Sequence, residues 1–358
     1  MADDVVLSNS AEVIEMLVAV TGATGFIGSQ VVQVLLDRGH SVRGTVRDPD
    51  NADKVAPLIQ LPGAEGRLEL VAADLMVPEG FAGAFRGCEV VMHVASPYVL
   101  DVDDPQRDLV DPALTGTLNV LKAARDAGAR RVVLTSSLAA ITDEPDDRLL
   151  TEDDWNEKSS LVRNPYHYSK TLAERAAWDF IDNENRSFDL VVINPSGVIG
   201  PSVTSGLSTT SRMIADLLNG GVYPAVIDIT FPSVDVRDVA EAHVRAAENQ
   251  SASGRYICSA ELLSLQRSVD VLRANGFGGY KLPRMSLTSG FGTFLTRQLA
   301  RFQPSGTRSF LETNLGRSAN LDTTKIREEL GMEFRDIDAS IVETANNLIH
   351  WGHVKSRG

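Results

Sequence analysis

Between Met16 and Gly39 a short apolar run, Leu17-Val18-Ala19-Val20, meets three glycines at three-residue spacing, Gly22, Gly25 and Gly28. Apolar residues then recur at helical intervals at Ile27, Val31, Val34 and Leu35. A strand feeding a glycine turn that opens a helix constrains the chain more than any other stretch. It presents free backbone N–H groups and the positive end of a helix dipole at one point, where a pyrophosphate is well accommodated. A side chain at Gly22 or Gly25 would hold phosphates away, although a plain packing turn between strand and helix also favours glycine.

The rest of the first half repeats the alternation. Ser41–Val46, Arg67–Ala73, Cys88–Ala95, Arg131–Thr135 and Phe188–Ile193 read as strands. Helical patterns fall around Phe81, Ala84 and Phe85, over Pro112–Ala127, and from Tyr166 to about Asn183. Strands alternating with helices imply a doubly wound Rossmann-type α/β fold: a parallel sheet covered on both faces, with ligands at the carboxyl ends of its strands. Beyond Gly200 the pattern loosens. Met213–Leu218, Val236–Ala247, Val269–Ala274, Asp322–Leu330 and Ala339–Trp351 read as helical, Ala225–Val234 as extended, and Gly276–Gly316 as irregular. The expected organisation is an N-terminal extension (1–15), a dinucleotide-binding domain (16–200, with returning elements about 226–258), and a smaller, mainly C-terminal substrate-binding region (201–225 and 259–358).

The second strand ends in Arg47, Asp48 and Pro49, where an adenosine ribose lies in such a fold. Arg47, with Arg43 before it and Lys54 after, suits the 2'-phosphate of NADP, and Asp48 is the competing signal for NAD. The formal charge of -14 argues against a nucleic-acid partner, since no basic face is concentrated in the sequence. The two cysteines, Cys88 and Cys258, form no disulfide framework and read as small buried hydrophobes. No signal-peptide pattern opens the chain and no apolar run approaches the ~20 residues of a membrane span. A cytoplasmic protein, monomer or homodimer, is expected. The acids at 143, 144, 146, 147, 152, 153 and 154 crowd irregularly around Pro145 and read as a solvated loop. His93 reads as a core histidine, because no metal-ligand partner is suitably spaced.

Tyr166 and Lys170 stand four residues apart on one helical face. A phenol, with a reference pKa near 10, is a poor acid at neutral pH, and a neighbouring ammonium brings it toward the working range. Ser136 and Ser137 end the fifth strand, where a hydroxyl can hydrogen-bond a substrate carbonyl. No G-x-S-x-G surrounds either serine, which argues against a hydrolase.

Together TGATGFIG, VRGTVRD, Ala73-Asp74-Leu75, HVASP, LTSS, YHYSK and Gly254–Cys258 resemble the extended short-chain dehydrogenase/reductases. Within these the chain is most similar to the dihydroflavonol reductase and cinnamoyl-CoA reductase group, which includes microbial aldehyde and ketone reductases. The resemblance implies an NADPH-dependent carbonyl reductase with Ser137, Tyr166 and Lys170 as catalytic residues. It places Gly22, Gly25 and Gly28 at the pyrophosphate, Arg47 and Lys54 at the 2'-phosphate, Asp74 at the adenine, and Pro195, Ser196, Gly197 and Val198 along the nicotinamide. The same stretches place Thr24, Phe26, Ile27, Leu75, Val94, Ala95, Ser96 and Thr135 along the cofactor, with Tyr166 and Lys170 also reaching its ribose. No metal is implied. Two departures stand out. The helix before the fifth strand carries PALTGT, with Ala113 or Thr115 where short-chain enzymes often supply a relay asparagine, so relay through water is expected. The catalytic segment Asn164-Pro165-Tyr166-His167-Tyr168-Ser169-Lys170 differs from the N-W-Y-C-Y-G-K of cinnamoyl-CoA reductases, which weakens the expectation of a CoA thioester.

A sugar-nucleotide epimerase or dehydratase, a 3β-hydroxysteroid dehydrogenase and a non-catalytic NADP-binding regulator are the competing readings. The pocket is expected from Tyr98–Asp104, His167, Ser202–Val226 and Gly276–Gly316. The apolar face of Tyr166–Phe180, with the 105–127 helix, is expected to offer a dimer interface.

Overall fold

Seven parallel strands form the central sheet, in the spatial order Gly254–Cys258, Asp189–Pro195, Arg131–Thr135, Val90–His93, Leu17–Val20, Ser41–Val46, Leu68–Ala72. The computed structural model describes residues 15–96, 102–184, 186–302 and 305–357. Strand order reverses between Leu17–Val20 and Val90–His93, the crevice where a doubly wound sheet binds ligands.

In the central strands the apolar runs Leu17–Val20, Val90–Met92, Val132–Leu134 and Leu190–Ile193 have a direct physical cause. Val18, Val20, Val133, Val191 and Ile193 belong to the core on one face, while Ala19, Val91, Val132, Leu134 and Val192 face the other. Both faces are covered, so alternation with polar residues is absent. On the first face the glycine-turn helix Phe26–Asp37 packs against Val236–Glu248, whose Ala240, Val244 and Ala247 are fully buried. On the second, Asp111–Asp126 packs against Pro165–Asn183. Full burial of each large aliphatic side chain contributes about 1.5–3 kcal/mol, so these layers dominate the stability. The face expected to pair between subunits is occupied inside the chain: Val120, Leu121, Ala124, Ala177, Phe180 and Ile181 share one core.

A second lobe surrounds a three-stranded sheet, Glu261–Ser264, Thr230–Asp235 and Gly197–Ile199, with helices Thr209–Asn219, Leu265–Ala274 and Ile337–His350 over its own core. The extended stretch Ala225–Val234 is thus two strands, since Ala225–Ile227 pairs instead with Met285–Leu287. Gly276–Gly316 is not irregular: it holds that strand and the helices Gly290–Leu299 and Ser305–Asn314. Gly290, Gly292, Thr293 and Thr296 weaken the local helix signal in Gly290–Leu299, and the Ser289 side chain supplies the cap by accepting the Gly292 N–H.

The acidic stretch also departs from expectation. Asp143 is buried and pairs with Arg163, and Glu144 meets Lys158, Arg163 and Arg317. Asp154 pairs with Arg148, and the Glu152 carboxylate accepts the Ile257 N–H. Cations distant in the sequence turn much of an apparently solvated loop into a fixed structure, with Asp147 and Asp153 left exposed.

Candidate functional site

The glycine turn is tightly built. Gly22 has φ +66°, and a Cβ there would lie 3.0 Å from Ala95 Cβ. A Cβ at Gly28 would lie 2.3 Å from the Gly22 carbonyl oxygen. Thr21 Oγ1 accepts the N–H groups of Val94 and Ala95, both at 3.0 Å, and so ties the first strand's end to the fourth's. Gly25 caps the following helix without any side-chain bond, and no acid occupies the first turn. The orphan N–H groups around Thr24, Phe26 and Ile27 are therefore open to an anion, with no carboxylate in the first turn to compete. Such a cradle fits a dinucleotide pyrophosphate. Ser196 Oγ, at the head of the Gly197–Ile199 strand, is buried and has no partner among the described residues, consistent with a polar ligand along Pro195–Val198.

At the end of the second strand the side chains of Arg47 and Lys54 are exposed and make no hydrogen bond to a described residue, while the Lys54 N–H donates to the Asn51 side chain. Arg43 is different: it pairs with Glu69 and donates to the carbonyls of Ala84 and Arg86, which makes it a clamp beneath the sheet rather than a phosphate ligand. Asp74 accepts the Met76 N–H at 2.8 Å, and the Leu75 carbonyl accepts Asn119 Nδ2.

The two serines diverge. Ser136 is buried and donates to Glu174 Oε2 at 2.5 Å. Ser137 Oγ accepts the Ala139 N–H at 3.1 Å, which leaves its hydroxyl proton available to a ligand. Across from them, the helix Pro165–Asn183 starts at Asn164, held in the left-handed region (φ 47°) by bonds from its amide to the Asp143 carboxylate and carbonyl. The buried acid thus fixes the first turn, which carries Tyr166. Lys170 is 7% exposed, donates to Ser96 Oγ at 2.9 Å, and stands 5.9 Å from the Tyr166 ring centroid. Burial lowers its pKa to about 8, opposed by the charge of Glu174.

Thr135 Oγ1 lies 2.6 Å from His243 Nε2, which braces the Val236–Glu248 helix, and the residue also lines the chamber beside Lys170. His93 bonds Thr21 Oγ1 and is held neutral by burial, its pKa lowered to about 3, as befits a core histidine. Burial likewise lowers His167 to about 4. Cys88 and Cys258 are both buried. Neither Ala113 nor Thr115 faces the site as a relay group, Thr115 being exposed; Thr117, a half-turn on, lines the small polar chamber behind Lys170 with His93, Ser96, Ser136 and Glu174. Part of the expected pocket, Tyr98 to Asp101, lies outside the described residues. Missing from the sequence reading were Glu174, Asn194 and Arg255. Asn194 donates to the Ser137 carbonyl and to Glu174, and Arg255 donates to Glu174 at 2.5 Å. Their one legible signal was a charged residue, Glu174, one turn beyond Lys170 between Ala173 and Ala177.

Residues 18–258 match the NAD dependent epimerase/dehydratase family. A cinnamoyl-CoA reductase of Medicago truncatula is 44% identical over 268 residues, 72% of this chain and 80% of that relative. A tetraketide alpha-pyrone reductase of Arabidopsis thaliana is 36% identical over 345 residues, 95% and 97%. Among solved structures, Gre2 of Candida albicans in complex with NADPH superposes with a TM-score of 0.78 at 33% identity, covering 94% of this chain and 99% of that one. The yeast methylglyoxal/isovaleraldehyde reductase Gre2, complexed with NADPH, gives 0.76 at 28%, covering 95% and 100%. The chain belongs to the NAD dependent epimerase/dehydratase family, within the extended short-chain dehydrogenase/reductases, and is an NAD(P)-dependent oxidoreductase.

Proposed function

We propose that the protein is an NADPH-dependent carbonyl reductase that converts an aldehyde or ketone to the alcohol. The observation that carries this reading is the placement of Lys170. Its ammonium is fixed on Ser96 at the end of the fourth strand, beside the glycine cradle and one turn from Tyr166. Residues 16–200, with the Val236–Glu248 helix and the Gly254–Cys258 strand, hold the cofactor; 201–225 and 259–358 shape the substrate pocket.

When bound, NADPH would supply the hydride from its nicotinamide. Ser137 donates its hydroxyl proton to the carbonyl oxygen, preorganised by the Ala139 N–H at its own oxygen. Tyr166 delivers the phenolic proton to that oxygen as negative charge develops, and the Lys170 ammonium stabilises the phenolate left behind. Arg47, with Lys54, meets the 2'-phosphate and so selects NADPH, a preference supported by the NADPH-bound Gre2 structures. The likeness to the yeast methylglyoxal/isovaleraldehyde reductase supports a small aldehyde or ketone as substrate. The cinnamoyl-CoA reductase of Medicago truncatula favours a second reading, an aromatic acyl-CoA thioester.

The test is NADPH depletion over methylglyoxal, isovaleraldehyde, aryl ketones, a dihydroflavonol and cinnamoyl-CoA, with Tyr166→Phe beside the native protein. Consumption with an aldehyde or ketone, lost in Tyr166→Phe while NADPH still binds, is expected. Turnover retained in Tyr166→Phe overturns the catalytic assignment, and consumption with cinnamoyl-CoA alone transfers the case to the thioester.

A further inference from the structure

One carboxylate is buried at the centre of the catalytic region, and the reaction as derived above does not use it. Glu174 is 1% exposed, four residues beyond Lys170 and eight beyond Tyr166, so the three share one face of the helix. Four donors converge on it. Oε2 accepts Ser136 Oγ at 2.5 Å and Asn194 Nδ2 at 2.8 Å; Oε1 accepts Arg255 Nε at 2.5 Å and Trp178 Nε1 at 3.4 Å. These donors come from four elements: the turn after the Arg131–Thr135 strand, the two strands beyond it in the sheet, and the catalytic helix itself. The Asn194 amide also donates to the Ser137 carbonyl at 3.1 Å, so a single group links Glu174 to the backbone of the candidate oxyanion donor.

A buried carboxylate is tolerated only when paired and hydrogen-bonded, and Arg255 does more than neutralise it. The guanidinium lies 3.9 Å from the Trp155 ring centroid and donates to the carbonyls of Glu152 and Asp154. This anchors the ion pair to the loop that also fixes the start of the catalytic helix through Asp143 and Asn164.

We propose that Glu174 is a positioning residue of the reaction: its carboxylate orients the Ser136–Ser137 turn and provides the buried countercharge for the Lys170 ammonium. The proposal rests on the assignment of Ser137, Tyr166 and Lys170 above. Among the described residues, and beside the Tyr166 ring at 5.9 Å, the groups facing Lys170 are few. His93 faces it from the fourth strand and is neutral; Ser96, Thr117, Thr135 and Ser136 are uncharged; Glu174 is the other titratable group lining the chamber. Arg255 pairs with Glu174 Oε1 and does not line the chamber. Removing the negative charge destabilises every protonated group nearby, so the Tyr166–Lys170 pair releases its first proton at lower pH whichever member loses it.

The experiment compares Glu174→Gln with the native enzyme for NADPH affinity by fluorescence, melting midpoint, and the pH profile of kcat. Expected are NADPH affinity at pH 7 within about threefold of native, a kcat lower by about tenfold to a hundredfold, and an alkaline limb displaced acidward by about one pH unit. Glu174→Asp keeps the charge and should leave the limb in place while kcat falls. Should Glu174→Gln fail to fold because Arg255 is left unpaired, the double variant Glu174→Gln, Arg255→Gln removes both charges and should still move the limb acidward. A folded Glu174→Gln or double variant with the native limb and native kcat overturns the proposal. Tyr166→Phe separates the two failures: inactive Tyr166→Phe beside unaltered Glu174→Gln defeats this inference alone, whereas active Tyr166→Phe defeats the catalytic assignment beneath it.

Discussion

Lys170 crosses from its helix to the end of the fourth strand, where its ammonium lies 2.9 Å from Ser96 Oγ. A buried ammonium held by one hydroxyl and opposed by one buried carboxylate is set for chemistry at neutral pH, with its pKa lowered to about 8. Lys170→Met keeps the apolar stem and removes the charge. Its kcat should fall by roughly a hundredfold to ten-thousandfold, and steady-state NADPH oxidation within twofold of native would refute the role.

Ser136 and Ser137 are adjacent yet should respond in opposite ways. Ser137→Ala removes the hydroxyl proposed to hydrogen-bond the substrate carbonyl, so kcat should drop by about a hundredfold to a thousandfold with an unchanged melting midpoint. Ser136→Ala removes a donor to buried Glu174 and should cost about 1–3 kcal/mol of stability. Paired denaturation and kinetic measurements check the split; interchanged effects would reassign the donor.

Arg47 is exposed and makes no bond to a described side chain, whereas Arg43 is committed to Glu69. Arg47→Ala should weaken NADPH binding by about 1.5–3 kcal/mol, the range for hydrogen bonds to charged groups, and leave NADH binding unaltered. Arg43→Ala should lower stability without changing that preference. Fluorescence titration with both cofactors decides the matter, and an unaltered NADPH/NADH ratio in Arg47→Ala removes the residue from the phosphate site.

Acid should destabilise the fold through its buried histidines. In the folded protein His93 titrates at about 3 and His243 at about 4, both below the unfolded value of 6.5, because burial penalises the cation. Each is neutral in both states above pH 6.5, so its contribution is complete there. As pH falls from 6.5 toward 4 the unfolded chain binds protons that the folded chain refuses, and stability declines by about 1.4 kcal/mol per pH unit per histidine. Urea midpoints at pH 7 and pH 5 should show this decline, and His243→Gln should flatten it. An equally steep dependence in His243→Gln would assign the loss to other groups.

Much of this architecture is legible locally. Leu17–Val20, Ser41–Val46 and Arg131–Thr135 are strands at the residues where short apolar runs meet glycine or charged stops, and Gly22, Gly25 and Gly28 form the turn expected of them. The Gly290–Leu299 helix was hidden because glycines inside it lower the local propensity that a sequence reading weighs. Asp143 could not be seen as buried, because the partner that makes burial tolerable, Arg163, stands twenty residues away.

The amino-acid sequence by itself determined the doubly wound sheet, the glycine turn that opens the Phe26–Asp37 helix and the Tyr166–Lys170 pair. Each depends on residues a few positions apart, joined by helical or strand periodicity. Tertiary structure alone decided which serine keeps its hydroxyl proton free, which arginine remains open at the ribose end, and that Glu174 lies at the hub of the site. Those outcomes depend on Arg255, Asn194 and Glu69, which are brought into hydrogen-bonding distance only when the sheet closes, since a buried charge takes its direction from the partner that pairs with it.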